Sequence, residues 1–197
     1  MKTKHRSTLN LVLILSLAFW GFGLPSAMAK MSTKEKEKVC ADIQKTTKET
    51  LQGLYKAQPG AEKAINNSAG YAVFSNMGIK ILVAGSGKGT GMAVDKKTDK
   101  ITYMKMLEVQ AGLGMGVKKF RLVWVFEKSG DFNNFVNSGF ELGGQATAAA
   151  KNAEKGSAYA GAVAVSPGVW LYQMTDKGLA AELTVKGTKY YKNDELN

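Results

Sequence analysis

The chain has 197 residues, a formal net charge of +11, one cysteine (Cys40) and one histidine (His5). A lone cysteine excludes an intramolecular disulfide, and the lack of histidine after residue 5 removes Ser-His-Asp and Cys-His nucleophiles, histidine metal sites and imidazole acid/base chemistry from the body of the chain. Arginine occurs only at positions 6 and 121, so the positive surplus is lysine, which suits a diffuse anionic surface better than the bidentate base reading of nucleic-acid binders.

Residues 1–29 read as a cleaved signal peptide. Lys2, Lys4 and Arg6 form a basic start, Leu11 to Leu24 an apolar run, and Ala27-Met28-Ala29 a cleavage site before Lys30. A lipoprotein would carry cysteine directly after the cleavage site, and position 30 is lysine, so the expected product is periplasmic or secreted without a lipid anchor. Without the three basic residues of the leader, 24 basic residues face 16 acidic ones, about +8. The remaining residues, 30–197, are enough for one domain with its own core.

Residues 33–57 have helical periodicity, with Val39, Ile43, Thr47, Leu51 or Thr50, and Leu54 on one stripe, lysines around the other faces, and Ser32 or Thr33 as cap. Cys40 lies on this pattern as a small buried hydrophobe. Pro59-Gly60 ends the helix, and Ala61 to Asn66 forms a second short helical turn.

From Tyr71 the pattern becomes β. Tyr71–Phe74, Ile79–Ala84, Ile101–Met106, Val109–Val117 and Arg121–Phe126 read as strands, with Asp95–Lys100 as a polar turn between two of them. Ser129–Asn137 reads as a helix capped by Ser129 or Asp131, with Phe132, Phe135 and Val136 as its apolar stripe. Strand texture returns at Phe140–Ala150, Ala158–Val165, Val169–Met174 and Leu179–Val185, with 152–157 a charged turn and 192–197 a polar tail. The expected fold is α+β: an extensive curved, mainly antiparallel sheet, meander or partly closed barrel, with a long N-terminal helix and one short helix near 129–137.

Four stretches carry small residues at every second position: Gly85 to Gly91, Gly112 to Gly116, Gly144 to Ala150 and Ala158 to Ala164. Each predicts a strand with one nearly bare face, against which a helix, a sheet, a barrel wall or a ligand must come close. Gly85-Ser86-Gly87-Lys88-Gly89-Thr90-Gly91 lacks the spacing of a phosphate loop and leads into a strand and a turn instead of a helix. Its glycines therefore read as structural. The carboxylates Glu108, Glu127, Asp131, Glu141, Asp176 and Glu182 form no catalytic constellation and read mostly as solvated surface groups. The N-terminal helix has two open readings, packing over the bare faces or lying on a membrane with its lysines toward head groups. Lys80, Lys88, Lys118, Lys119 and Arg121 make a basic patch if their strands are adjacent, or are strand-edge lysines that discourage aggregation.

Ser68-Ala69-Gly70-Tyr71-Ala72-Val73-Phe74, the Gly85–Gly91 ladder, Gly112-Leu113-Gly114-Met115-Gly116, Leu122–Phe126, Phe140-Glu141-Leu142-Gly143-Gly144 and Gly178–Leu183 follow in an order that resembles the SYLF domain, across roughly residues 35 to 196. The resemblance implies a non-enzymatic lipid-binding domain. Eukaryotic members of that family bind phosphoinositides through basic residues and an N-terminal amphipathic helix, some bind actin, and bacterial members are mostly exported. No lipid-contact motif carries over residue by residue. The expectation is an exported protein without catalytic residues, metal or cofactor, binding anionic phospholipid or envelope surfaces through Lys80, Lys88, Lys118, Lys119 and Arg121, with no nucleic-acid partner. The runner-up is a structural or stress-related envelope protein whose partner is another protein. Neither reading fixes the oligomeric state.

Overall fold

A computed structural model describes residues 31–81, 84–111, 116–142, 158–175, 178–180 and 187–197. Three helices, α1 (Thr33–Ala57), α2 (Gly60–Asn66) and α3 (Ser129–Ser138), accompany nine strands among the described residues. The strands are β1 (Gly70–Ile81), β2 (Ala84–Asp95), β3 (Ile101–Ala111), β4 (Gly116–Phe126), β5 (Phe140–Leu142), β6 (Val163–Ser166), β7 (Val169–Thr175), β8 (Gly178–Leu179) and β9 (Thr188–Lys192). They form one antiparallel sheet in the order β5-β9-β3-β2-β1-β4-β7-β6, with β8 paired to β7, curled into a half-barrel. The expected α+β architecture holds.

Period-two alternation divides this sheet into two buried faces. On one, Phe74, Leu122, Trp124, Phe126 and Tyr190 meet the Phe132, Phe135 and Val136 stripe of α3. Trp124 meets Tyr190 edge-on at 5.1 Å and Phe135 at a tilt at 5.2 Å between centroids, arrangements their quadrupoles favour, and stacks parallel to Phe126 at 6.2 Å. On the other face, α1 and α2 cover Val73, Val123, Val125, Tyr172 and Met174 with Leu54, Ala61 and Ile65, while Ile43 packs on Met92 and Val94.

Gly89 and Gly91 stand opposite Asn76 and Phe74 in the register, on the α3 face. A Cβ on Gly91 would lie 2.6 Å from Cδ1 of Phe74, and one on Gly89 would lie 2.9 Å from Cε of Met106. The bare strip of β2 is thus covered by side chains of its own sheet. The helix packs on the sheet, but over the opposite face of β2, so the glycine ladder is not its seat.

Other sequence expectations need correction. Tyr71–Phe74 and Ile79–Ala84 are largely one strand, β1, running to Ile81; backbone pairing with both neighbouring strands continues through Ser75 to Gly78. Residues 158–161 form a turn closed by Ala162 N–H donating to Tyr159 O (2.9 Å), with Gly161 at φ 79°. Alanine favours strands weakly, and ring stacking of Tyr159 on Trp170 (4.4 Å) fixes this turn instead. The Gly112–Gly114 and Gly144–Ala150 ladders lie outside the described residues, as do the leader and the 152–157 turn. α3 begins at Ser129 with neither Ser129 nor Asp131 as cap; Lys128 occupies the cap position without a side-chain hydrogen bond. Its other end needs Gly139, at φ 74°, where a Cβ would lie 2.7 Å from Tyr190 O. Cys40 is half-buried instead of enclosed.

The tail is docked. Thr188–Lys192 pairs with β3, and beyond it the Asn197 side chain donates to Tyr103 O (2.8 Å) and accepts from Tyr103 N–H (2.9 Å).

Candidate functional site

α1 is fixed at both ends. A capping box starts it: Ser32 Oγ accepts from Glu35 N–H (3.3 Å), and the Glu35 carboxylate accepts from Ser32 N–H (2.8 Å) and from the Ser32 hydroxyl (2.7 Å). These hydrogen bonds hold the Glu35 carboxyl below its ordinary value of 4.5. Further along, Gln44 Nε2 donates to the Tyr103 hydroxyl at 2.7 Å, tying the helix to β3. Burial raises the pKa of that hydroxyl. Toward the C-terminus Leu54, fully buried, packs on the β1, β4 and β7 side of the sheet.

Between α1 and the sheet runs an open groove with a cavity volume of about 470 Å³. Val39, Ile43 and Thr47 line its helix wall, and Val73, Phe120 and Met174 contribute from the sheet. Ser75, Thr90, Lys88 and Arg121 add polar and cationic groups, and Asp42 one carboxylate. Lys88 and Arg121 are both exposed. Among the described residues the ion pair is Lys105 with Glu195 at 3.0 Å, which involves neither of them.

The register places the five sequence-predicted cations as follows. Lys88 of β2 and Lys119 of β4 both stand opposite Met77 of β1, in one cross-strand row. Arg121 stands in the next same-facing row, opposite Ser75, which on its other side pairs with Thr90. Lys80, opposite Gly85 and Gly116, and Lys118, opposite Gly78, occupy positions of the other parity. β1 therefore brings Lys88, Lys119 and Arg121 into one register set and leaves Lys80 and Lys118 out of it.

That row extends past anything the sequence reading singled out. Lys88 pairs with Leu107 of β3, and Leu107 pairs with Lys189 of β9, giving Lys189, Leu107, Lys88, Met77 and Lys119 across five strands. At 4.7–4.9 Å between strands this row is about 19 Å wide. Lys189 is exposed, and Leu107, 37% exposed, is one of two large apolar side chains left open among the described residues. The other, Tyr191, stands opposite Lys105 one row on. The alternation of Thr188-Lys189-Tyr190-Tyr191 carried the signal for β9, but the pairing of Lys189 with Leu107 is a long-range fact.

Glu108 is fully buried, a correction to its reading as a surface carboxylate. Alternation along β3 puts it with Met104 and Met106 on the α3 face, where it accepts from Asn76 Nδ2 at 2.7 Å. Nearby, the Tyr190 hydroxyl, Trp124 Nε1 and Thr188 Oγ1 are buried without a hydrogen bond of good geometry, and burial raises the Tyr190 pKa strongly. Among the described residues no three Asp, Glu, Cys or His side chains cluster to hold a metal. No helix among them is long and apolar enough to cross a membrane.

A half-barrel with a helix strapped across one face, an amphipathic groove beneath it and a row of cations beside it defines a binding-type domain. Residues 107–197 match the family model Ysc84, described as Las17-binding protein actin regulator. The chain is also similar to "Beta cell expansion factor A" of Aeromonas veronii, 32% identical over 145 residues, which cover 73% of this chain and 53% of that protein. The chain thus spans about half the length of this curated relative. The expected resemblance is thus found: residues 107–197 are similar to the Ysc84 (SYLF) family, which is generally a family of binding domains.

Proposed function

We propose that this chain is an exported, non-enzymatic binding protein, with its leader removed after Ala29, that associates with anionic phospholipid or cell-envelope surfaces. The observation that carries the reading is the cross-strand row Lys189, Leu107, Lys88, Met77, Lys119, with Arg121 one row behind. Cations interleaved with apolar groups on one sheet face match an anionic head-group layer above a hydrocarbon edge. Each lysine or arginine near such a surface contributes about 1 kcal/mol, so Lys88, Arg121 and Lys189 together supply roughly 3 kcal/mol, a weak and reversible attachment. Lys119 belongs to this row, and Lys80 and Lys118, of the other parity on the same two strands, add longer-range attraction to the same anionic surface.

Co-sedimentation with vesicles tests it. The chain is expected to pellet with phosphatidylglycerol-containing vesicles and not with pure phosphatidylcholine, and to be released as added salt shortens the screening length from about 8 Å at physiological ionic strength toward about 3 Å at 1 M. Replacing Lys80, Lys88, Lys118, Lys119 and Arg121 together with glutamate should abolish pelleting. Unchanged binding would remove the basis of the reading. A second reading, a protein partner, draws on the exposed Leu107 and Tyr191. Attachment through them would survive high salt.

A further inference from the structure

The groove beneath α1 has the composition of a site for one amphipathic anion. Two cations flank it. Lys88 on β2 and Arg121 on β4 lie on either side of β1, two strand spacings apart and one same-face step offset, so their Cα atoms are about 12 Å apart, close enough for both long side chains to converge above Ser75. The hydroxyl-bearing residues Ser75 and Thr90 lie beneath that point, and the guanidinium can grip a carboxylate with two parallel hydrogen bonds. Beside this polar end, Val39 and Ile43 of α1 and Val73 and Met174 of the sheet make an apolar trough. Asp42 is the one carboxylate lining the groove, against the two cations.

Size selects the occupant. A cavity of 470 Å³ falls in the range of small-ligand sites. The groove is open to solvent along one side, so a single extended chain can lie in it with its carboxylate at the cationic end.

We infer that this groove binds a single long-chain fatty acid, its carboxylate between Lys88 and Arg121 and its chain along Val39, Ile43 and Met174. The inference rests on the reading of Lys88 and Arg121 as anion-facing groups. It adds a stoichiometric site to what is otherwise a surface association.

The test is titration calorimetry of the purified chain with palmitate below its micellar threshold, with hexadecyltrimethylammonium as the cationic control. One palmitate per chain is expected, with no saturable binding of the control. Thr90→Trp fills the groove from a strand position that accepts aromatics, and Lys88→Gln with Arg121→Gln removes the charge; each should weaken palmitate binding by about tenfold or more. Circular dichroism and the thermal midpoint establish that each variant is folded, and the charge variant decides should Thr90→Trp not fold. No saturable palmitate binding by the wild-type chain, or binding that survives in the folded variants, would overturn the inference. Vesicle pelleting run in parallel separates the two claims. A wild-type chain that pellets with anionic vesicles but ignores palmitate overturns the groove alone, and one that binds palmitate without pelleting overturns the surface reading alone.

Discussion

Gly91→Ala tests the explanation of the glycine ladder. The added Cβ would collide with Val73 O and lie 2.6 Å from Phe74 Cδ1, both on residues with 1% exposure or less. Neither obstacle is the far end of a flexible side chain, because one is backbone inside the β1–β2 ladder and the other a ring wedged beside Tyr190 at 4.9 Å. Overpacking of this kind costs about 1–3 kcal/mol, and the upper part of that range applies where backbone must move. Relief of the glycine entropy penalty returns about 0.5–1 kcal/mol, leaving a net loss near 2 kcal/mol. For a domain of this size each kcal/mol moves the midpoint roughly 2–4 °C, so a fall of about 4–8 °C is expected. Gly130→Ala is the control: nothing lies within 4 Å of its Cβ position in α3. It should gain about 0.5 kcal/mol or less, raising the midpoint by roughly 1–2 °C. Thermal unfolding followed by circular dichroism reads both. A Gly91→Ala midpoint equal to wild type or above it would refute the close-packing account.

Three further outcomes follow from the packing and the caps. Leu54→Ala, at a fully buried helix position facing Val73 and Val125, should cost about 2–5 kcal/mol in denaturant unfolding, and a loss well under that would mean α1 is not docked as described. Tyr190→Phe removes a buried hydroxyl that lacks a hydrogen bond of good geometry, so stability should hold or rise by up to about 1 kcal/mol; a clear loss would show that the hydroxyl is bonded. Glu35 is held below its ordinary 4.5 by Ser32, so the folded chain binds fewer protons there than the unfolded one. Its contribution is present above about 4.5 and lost as pH falls through the lower folded value. Glu35→Gln should therefore lower the midpoint at neutral pH and converge on wild type in acid, as read by thermal scans across that range.

The local elements were legible where one physical signal dominated. Ser32 or Thr33 as cap and the Val39–Ile43–Thr47–Leu54 stripe marked α1, and the Phe132–Phe135–Val136 stripe marked α3, while the partnership of Ser32 with Glu35 came only with the structure. Strands made of glycine and lysine were harder, because the sequence between Ser75 and Gly78 carries no hydrophobic alternation and the strand persists through pairing with both neighbours. The face that α1 covers was not readable at all. It depends on which parity of β2 is occupied by side chains leaning in from Phe74 and Met106, a tertiary fact. The candidate cations were found as residue types, but their grouping required the register. Lys88 and Lys119 are 31 positions apart in sequence and share a row only because both flank Met77, while Leu107 and Lys189 join that row through β3 and β9.

The central claim is that the sheet face bearing this row meets an anionic membrane, and a probe placed within the row tests it most directly. In a Cys40→Ser background, Leu107→Cys carries an environment-sensitive fluorophore into the row, and Thr98→Cys carries it to the exposed β2–β3 turn. On addition of phosphatidylglycerol vesicles the label at 107 should shift to the blue and the label at 98 should not, with neither responding to phosphatidylcholine. No shift at 107, or equal shifts at both positions, would contradict the account.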